Sequence, residues 1–166
     1  VAAVDHVEAR RRSLNLLHKP FPISGSCYVD NRLYVRLSGN EAAVEDASEI
    51  LGADVEVEES FWDQVRDHEH PFFQGNRPLW RISLARGSRP RSESSQEQLV
   101  EWAGAQVWAY MDDAQSPIEF GEGEHATPFR NVAGDSSKSI STADKYVRRL
   151  KAAFDPQDIF NRGMVV

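Results

Sequence analysis

The dipeptide Asp30-Asn31 constrains this chain more than any other feature. It separates two short runs, Ile23 to Val29 and Arg32 to Ser38, that both read as strands. A two-residue turn of this chemistry joins antiparallel neighbours into a hairpin. In the second run Leu33, Val35 and Leu37 face one way, and Tyr34, Arg36 and Ser38 the other. A second hairpin is expected over Gln98 to Met111, turning at Ala103-Gly104 with Trp102 and Trp108 on its arms. The clearest single strand is Pro78 to Ala85, where Trp80, Ile82 and Leu84 alternate with Leu79, Arg81 and Ser83. Asp54 to Val57 and Glu124 to Arg130 are further strand candidates.

Helical patterns are interleaved with these strands. Val4, Val7, Leu14 and Leu17 mark a first helix, ended by Pro20 and Pro22. Asn40 caps a second, with Ala43, Ala47, Ile50 and Leu51 expected inward and Gly52 closing it. Ser60 opens a third, carrying Phe61 and Val65, and His70-Pro71 stops it. Ser141 starts a last helix with Ala143, Val147, Leu150 and Phe154 on one face, stopped at Asp155-Pro156. Gly87 to Gln96 and Asn131 to Ile140 read as polar loops. Two hairpins among helices predict an α+β fold, an antiparallel sheet with helices packed on one face. The element order suits a ferredoxin-like, split βαβ core with additions.

The 166 residues favour one domain, and a chain of this size needs no disulfide or metal staple. A net charge of −7 argues against a nucleic-acid binder. Acidity is concentrated, with eight carboxylates and no base from Asn40 to Glu59, whereas Lys138 to Lys151 is basic on balance. No apolar run approaches the ~20 residues of a membrane span. The single Cys27 excludes an internal disulfide and fits a reducing, cytoplasmic compartment. The chain opens on Val with no signal-peptide pattern, and reads as a fragment or processed product.

Several chemistries are missing. There is no GxGxxG after a strand, no GxxxxGKS/T, no GxSxG and no HExxH. Gly121-Glu122-Gly123-Glu124 is glycine-rich but doubly acidic, and would repel a diphosphate. His68-Glu69-His70 can form half a metal site if extended, with His125 as a third ligand, but the pair sits at a helix end where a cation complements the dipole. The structural role is favoured and no metal is expected. Asp112-Asp113 reads as a turn or cap, and Cys27 as a small buried hydrophobe. The four tryptophans read as core or interface. The arginines are more informative. Arg36 and Arg81 lie mid-strand and Arg130 ends a strand after Phe129. A guanidinium fork matches a carboxylate in two parallel hydrogen bonds, so forks converging on one sheet face would hold a small anionic acid. The competing reading is that each pairs with a local Asp or Glu.

The C-terminal run Leu150-Lys151-Ala152-Ala153-Phe154-Asp155-Pro156-Gln157-Asp158-Ile159-Phe160-Asn161-Arg162-Gly163 resembles the LKxxFDPxxIFNPG ending of FAD-linked oxidases of the vanillyl-alcohol oxidase type. Phe61-Trp62, Arg66-Asp67-His68, His70-Pro71-Phe72-Phe73 and Pro78-Leu79-Trp80-Arg81-Ile82-Ser83 are similar to the FAD subunits of glycolate oxidases. So are Pro22-Ile23-Ser24 followed by Leu33 to Gly39, the run Gln98 to Gln106, and His125-Ala126-Thr127-Pro128-Phe129-Arg130. The resemblance implies that residues 1–166 are the C-terminal cap, or substrate-side, domain of such a flavoprotein, without the N-terminal domain that holds FAD. It implies oxidation of glycolate or a similar 2-hydroxy acid to the 2-oxo acid by the intact assembly. The implied partners are a second FAD subunit and an iron–sulfur subunit, and the implied location is cytoplasmic, with the inner membrane's surface, reached through that complex, as the alternative. Arg36, Arg81 and Arg130 are the expected substrate-binding residues, and Asn161 resembles the family residue nearest the flavin. Position 162 is Arg where the pattern has Pro. The alternative is a non-catalytic domain that assembles the oxidase complex.

Overall fold

The computed structural model describes residues 1–52, 57–85, 88, 97–111, 124–131, 140–141, 144–160 and 162. The chain divides into two compact units, Val1–Gly75 with Leu99–Ala105, and Asn76–Gln98 with Gln106–Val166. The expected strand at Asp54 to Val57 lies, apart from Val57, outside the described residues, as do Asp112-Asp113, Gly121 to Gly123 and most of both polar loops.

In the first unit, strands β1 (Ala2–Ala3), β2 (Ile23–Val29), β3 (Arg32–Leu37) and β5 (Gln98–Glu101) form an antiparallel ladder in the order β1-β3-β2-β5. The Asp30-Asn31 hairpin is as expected. Both residues have left-handed φ (51° and 57°), which matches the twist of the flanking strands. Val29 then pairs with Arg32, and Cys27 with Tyr34. Helix α1 (His6–Leu16) is capped by the Asp5 carboxylate, which accepts from the Glu8 N–H at 2.8 Å. Helix α2 (Glu41–Leu51) is capped by Asn40, which accepts from the Ala43 N–H at 2.9 Å, and closes on left-handed Gly52. Helix α3 (Ser60–Arg66) presents Phe61 to the Tyr34 side of β3, where the two rings stack 4.0 Å apart.

The helices exist where the periodicity places them, but their inward faces differ. In α1 the buried positions are Ala9 and Ser13, whereas Val7 is 62% exposed. α1 lies against the turn that follows β5, where Arg10 reaches Gly104. In α2 only Ala47 is buried, and Ile50 is 70% exposed.

In the second unit, β4 (Leu79–Ser83), β6 (Gln106–Tyr110), β7 (His125–Arg130) and β8 (Ile140–Ser141) form the antiparallel ladder β6-β4-β7-β8. The strand read from Trp80/Ile82 alternation is its centre. Trp80 and Ile82 are buried against register partners Ala109, Val107 and Ala126. Helix α4 (Asp144–Phe154) completes the unit. The architecture is the expected α+β fold with antiparallel strands and, among the described residues, four α-helices. No described helix is long and apolar enough to cross a membrane.

Candidate functional site

Arg81 occupies the middle of β4, the strand flanked on both sides in its unit. Its register partners are Trp108 on β6 and Thr127 on β7. Residues directly opposite in an antiparallel pair share a face, so these three side chains emerge on one side of the ladder. Arg81 is exposed there, whereas Trp108 is buried. Trp108 meets Phe129 edge-on, with ring centroids 4.8 Å apart, and the Arg130 guanidinium lies 5.6 Å from the Phe129 ring centre. Arg130 lies over the Phe129 ring, as a cation favours, and Arg81 is the register partner of Trp108. Ser83, His125 and Gln106 follow on the same face, since Ser83 pairs with both His125 and Gln106. His125 is a diagonal neighbour of Arg81, a spacing of about 7–8 Å. Thr127, Gln106 and this placement of His125 escape a reading of the sequence, because cross-strand register is not written in any one strand.

Arg36 belongs to the other unit. Its guanidinium is ion-paired with Glu59, just ahead of α3. Trp62 of α3 stands over the neighbouring Gly25: a Cβ added there, opposite Arg36 on β2, would lie 3.5 Å from the Trp62 ring. Both groups of the pair are exposed, so the pair adds little stability and can open toward a competing carboxylate.

Asn161 lies outside the described residues. The chain that leads to it is firmly organised. Asp155 accepts from the main-chain N–H groups of Ile159 (2.9 Å) and Phe160 (3.0 Å), and it pairs with Lys151 one turn back. These bonds, led by the one from Lys151, hold the Asp155 carboxyl below its usual range. The Asp-Pro-x-x-Ile-Phe run is thus a turn built around one carboxylate.

His68 and His70 each pack against an aromatic ring. His70 is buried, its Nδ1 accepts from the Phe72 N–H at 3.2 Å, and its ring meets Phe61 edge-on. His68 takes a left-handed backbone and packs edge-on against Phe73. Among the described residues no cluster of three or more His, Cys, Asp or Glu is placed to hold a metal ion. Cys27 is fully buried, and that burial pushes its thiol pKa well up.

The residues described do not fit the diphosphate of a dinucleotide. Such a group is held by main-chain N–H donors at a helix N-terminus. Here α1 begins behind Asp5, α2 on Glu41, α3 behind Glu58-Glu59, and α4 on Asp144. The left-handed glycines, Gly52 and Gly104, end a helix and close a turn.

Comparison with known proteins gives one relationship. The chain is 39% identical over 148 residues to the glycolate oxidase subunit GlcE of Escherichia coli (strain K12). That stretch is 87% of this chain but 42% of the relative's length. No family model matches the chain, and no solved structure matches it. Over nearly its whole length, then, the chain is a relative of part of the glycolate oxidase subunit GlcE.

Proposed function

We propose that this chain is the substrate-side domain of a glycolate-oxidase-type flavoprotein, and that the intact assembly oxidises glycolate or a similar 2-hydroxy acid to the 2-oxo acid. The observation that carries the reading is 39% identity across 87% of the chain to a glycolate oxidase subunit. On this reading FAD, which accepts the substrate's electrons when bound, is gripped by residues other than those described. The assembly includes a second FAD subunit and an iron–sulfur subunit, and resides in the cytoplasm, at the membrane surface at most.

The part of this chain is to bind and orient. Arg81 offers a carboxylate two parallel N–H bonds from an exposed position beside Trp108. Arg130 adds positive charge over Phe129, and Thr127 and Gln106 stand beside Arg81 as polar neighbours for the 2-hydroxyl. Arg36, in the first unit, is a separate candidate fork, reached by release of Glu59. Asn161, at the end of the turn organised by Asp155, is the candidate for contact with the flavin side.

The test is Arg81→Ala in the assembled oxidase. Losing one charge-assisted pair is worth about 1.5–3 kcal/mol, so the KM for glycolate rises roughly 10- to 100-fold. An unchanged KM in a folded, assembled variant removes Arg81 from the site. A second reading, that the domain only assembles the complex, is favoured by the apolar face of α4, where Leu150 is 58% and Phe154 84% exposed. It requires Arg81→Ala, Arg130→Ala and Arg36→Ala all to leave turnover intact while Leu150→Glu abolishes assembly.

A further inference from the structure

Strand β7 carries one residue more than its pairing with β4 needs. Thr127 stands opposite Arg81 and Pro128 opposite Trp80, but Leu79 is opposite Arg130. Phe129 is the extra residue, a β-bulge of the kind that re-aims the side chains around it. Strict alternation would put Arg130 on the face of Trp80 and Pro128. The bulge brings it opposite Leu79 instead, on the face of Arg81, with Phe129 beside it.

Strand spacing says where the Phe129 ring goes. β6 and β7 lie on either side of β4, so about 9.5 Å separates them. Yet the rings of Trp108 on β6 and Phe129 on β7 have centroids 4.8 Å apart. The two side chains therefore lean toward each other and meet above β4, between Leu79 and Arg81. Leu79 is buried on that face, whereas Phe129 is 42% exposed. Arg81 thus has two unlike flanks. Toward Leu79 stands the aromatic pair. Toward Ser83 stands a polar row, Gln106, Ser83 and His125, in register across the three strands.

We propose that the acid bound on this face carries an apolar side chain, aryl or long alkyl, on its hydroxyl-bearing carbon. That side chain lies on Phe129 while Arg81 holds the carboxylate and the polar row meets the hydroxyl. The proposal rests on the reading of Arg81 as the carboxylate fork of a 2-hydroxy-acid oxidase, and narrows its substrate class. Glycolate has only hydrogens at that carbon and leaves the exposed ring in water. Carboxylate, hydroxyl and side chain are held at three distinct points, so one enantiomer makes all three contacts and its mirror image gives up one.

The test titrates the isotope-labelled 166-residue protein with glycolate and with each enantiomer of phenyllactate. Binding is followed by NMR at the Trp108 indole and the Thr127 amide. One enantiomer is expected to bind roughly tenfold or more tighter than glycolate, as one well-seated apolar group discriminates by about that factor. Its mirror image should bind more weakly by a similar factor. Phe129→Ala should lower the ratio of phenyllactate to glycolate affinity about tenfold. Equal affinity for glycolate and phenyllactate, or for the two enantiomers, overturns the proposal in the unaltered protein, whether or not the variant folds. A ratio unchanged in a folded Phe129→Ala variant also overturns it. Binding without preference leaves the Arg81 fork standing, whereas silence toward all three acids removes the fork and this proposal together.

Discussion

Single residues here carry conformational demands that can be tested in isolation. The turn after β5 places Trp102, Ala103 and Gly104 successively at φ of 52°, 53° and 94°. It is held by the Ala103 N–H donating to Ser26 Oγ at 2.9 Å. A Cβ at Gly104 would adopt a backbone that L-residues rarely take and would meet the Arg10 guanidinium at 3.1 Å. Gly104→Ala should therefore cost about 1–3 kcal/mol, read as a lower urea midpoint; an unchanged midpoint would show that the turn relaxes freely. His70 makes a second demand. Burial holds its pKa below the ordinary 6.5, and its Nδ1 must stay unprotonated to accept from Phe72. The folded state thus takes up a proton less readily than the unfolded chain. The contribution is fully present above pH 6.5 and is lost as pH falls from there through the depressed folded value. Thermal melts should show a fall in stability over that acid window that His70→Gln flattens, and an identical slope in the variant would place the titration elsewhere.

Elements were legible from the sequence to the degree that their signals are local. The Asp30-Asn31 turn, the Asn40 cap and the Trp80/Ile82 alternation are encoded within a few residues, and each appears where it was expected. Which helix face is buried is decided by a distant partner, and there the apolar stripe misleads. In α1 the buried positions are small Ala9 and Ser13, while Val7 is left exposed. In α4 the expected stripe of Val147, Leu150 and Phe154 is real but exposed, at 40%, 58% and 84%. The pairing of Arg81 with Trp108 and Thr127 was beyond reach for the same reason, because register is a property of two strands. An exposed stripe yields a distinctive expectation. Leu150→Glu should leave the chain's own melting temperature within about a degree or two, since surface changes fall within about 0.5 kcal/mol. The same change at a buried core position such as Leu99 should be severe. A large loss of stability in Leu150→Glu would mean that α4 is buried in solution. Asp155→Asn is the companion case. It weakens the acceptor shared by Lys151, Ile159 and Phe160, so amide exchange at Ile159 and Phe160 should quicken while α4 keeps its helicity. Unchanged exchange would show that Asp155 does not hold that turn.

At the scale of the whole molecule, charge decides what the chain can hold by itself. Its net charge is −7, and acidic residues stand at or just before the start of α1, α2 and α3. A diphosphate approaching any of these N-termini meets a carboxylate within a few ångströms, well inside the ~8 Å over which physiological salt screens. The partial positive charge of a helix end, worth about 0.3–1 kcal/mol at an exposed site, is met at α1 by the Asp5 carboxylate and at α2 by the Asn40 amide oxygen. Exposed cations include Lys145, Arg148 and Arg149 of α4 and, in the β4 and β7 strands, Arg81 and Arg130. The expectation is a separation of labour within the assembly: this chain orients an anionic substrate and other residues grip the flavin. Titrating FAD with the purified 166-residue protein should leave the flavin's fluorescence unchanged, and gel filtration should return colourless protein. Stoichiometric quenching with a yellow protein peak would mean that these helices and loops do form a dinucleotide site, and the proposed separation would fall with it.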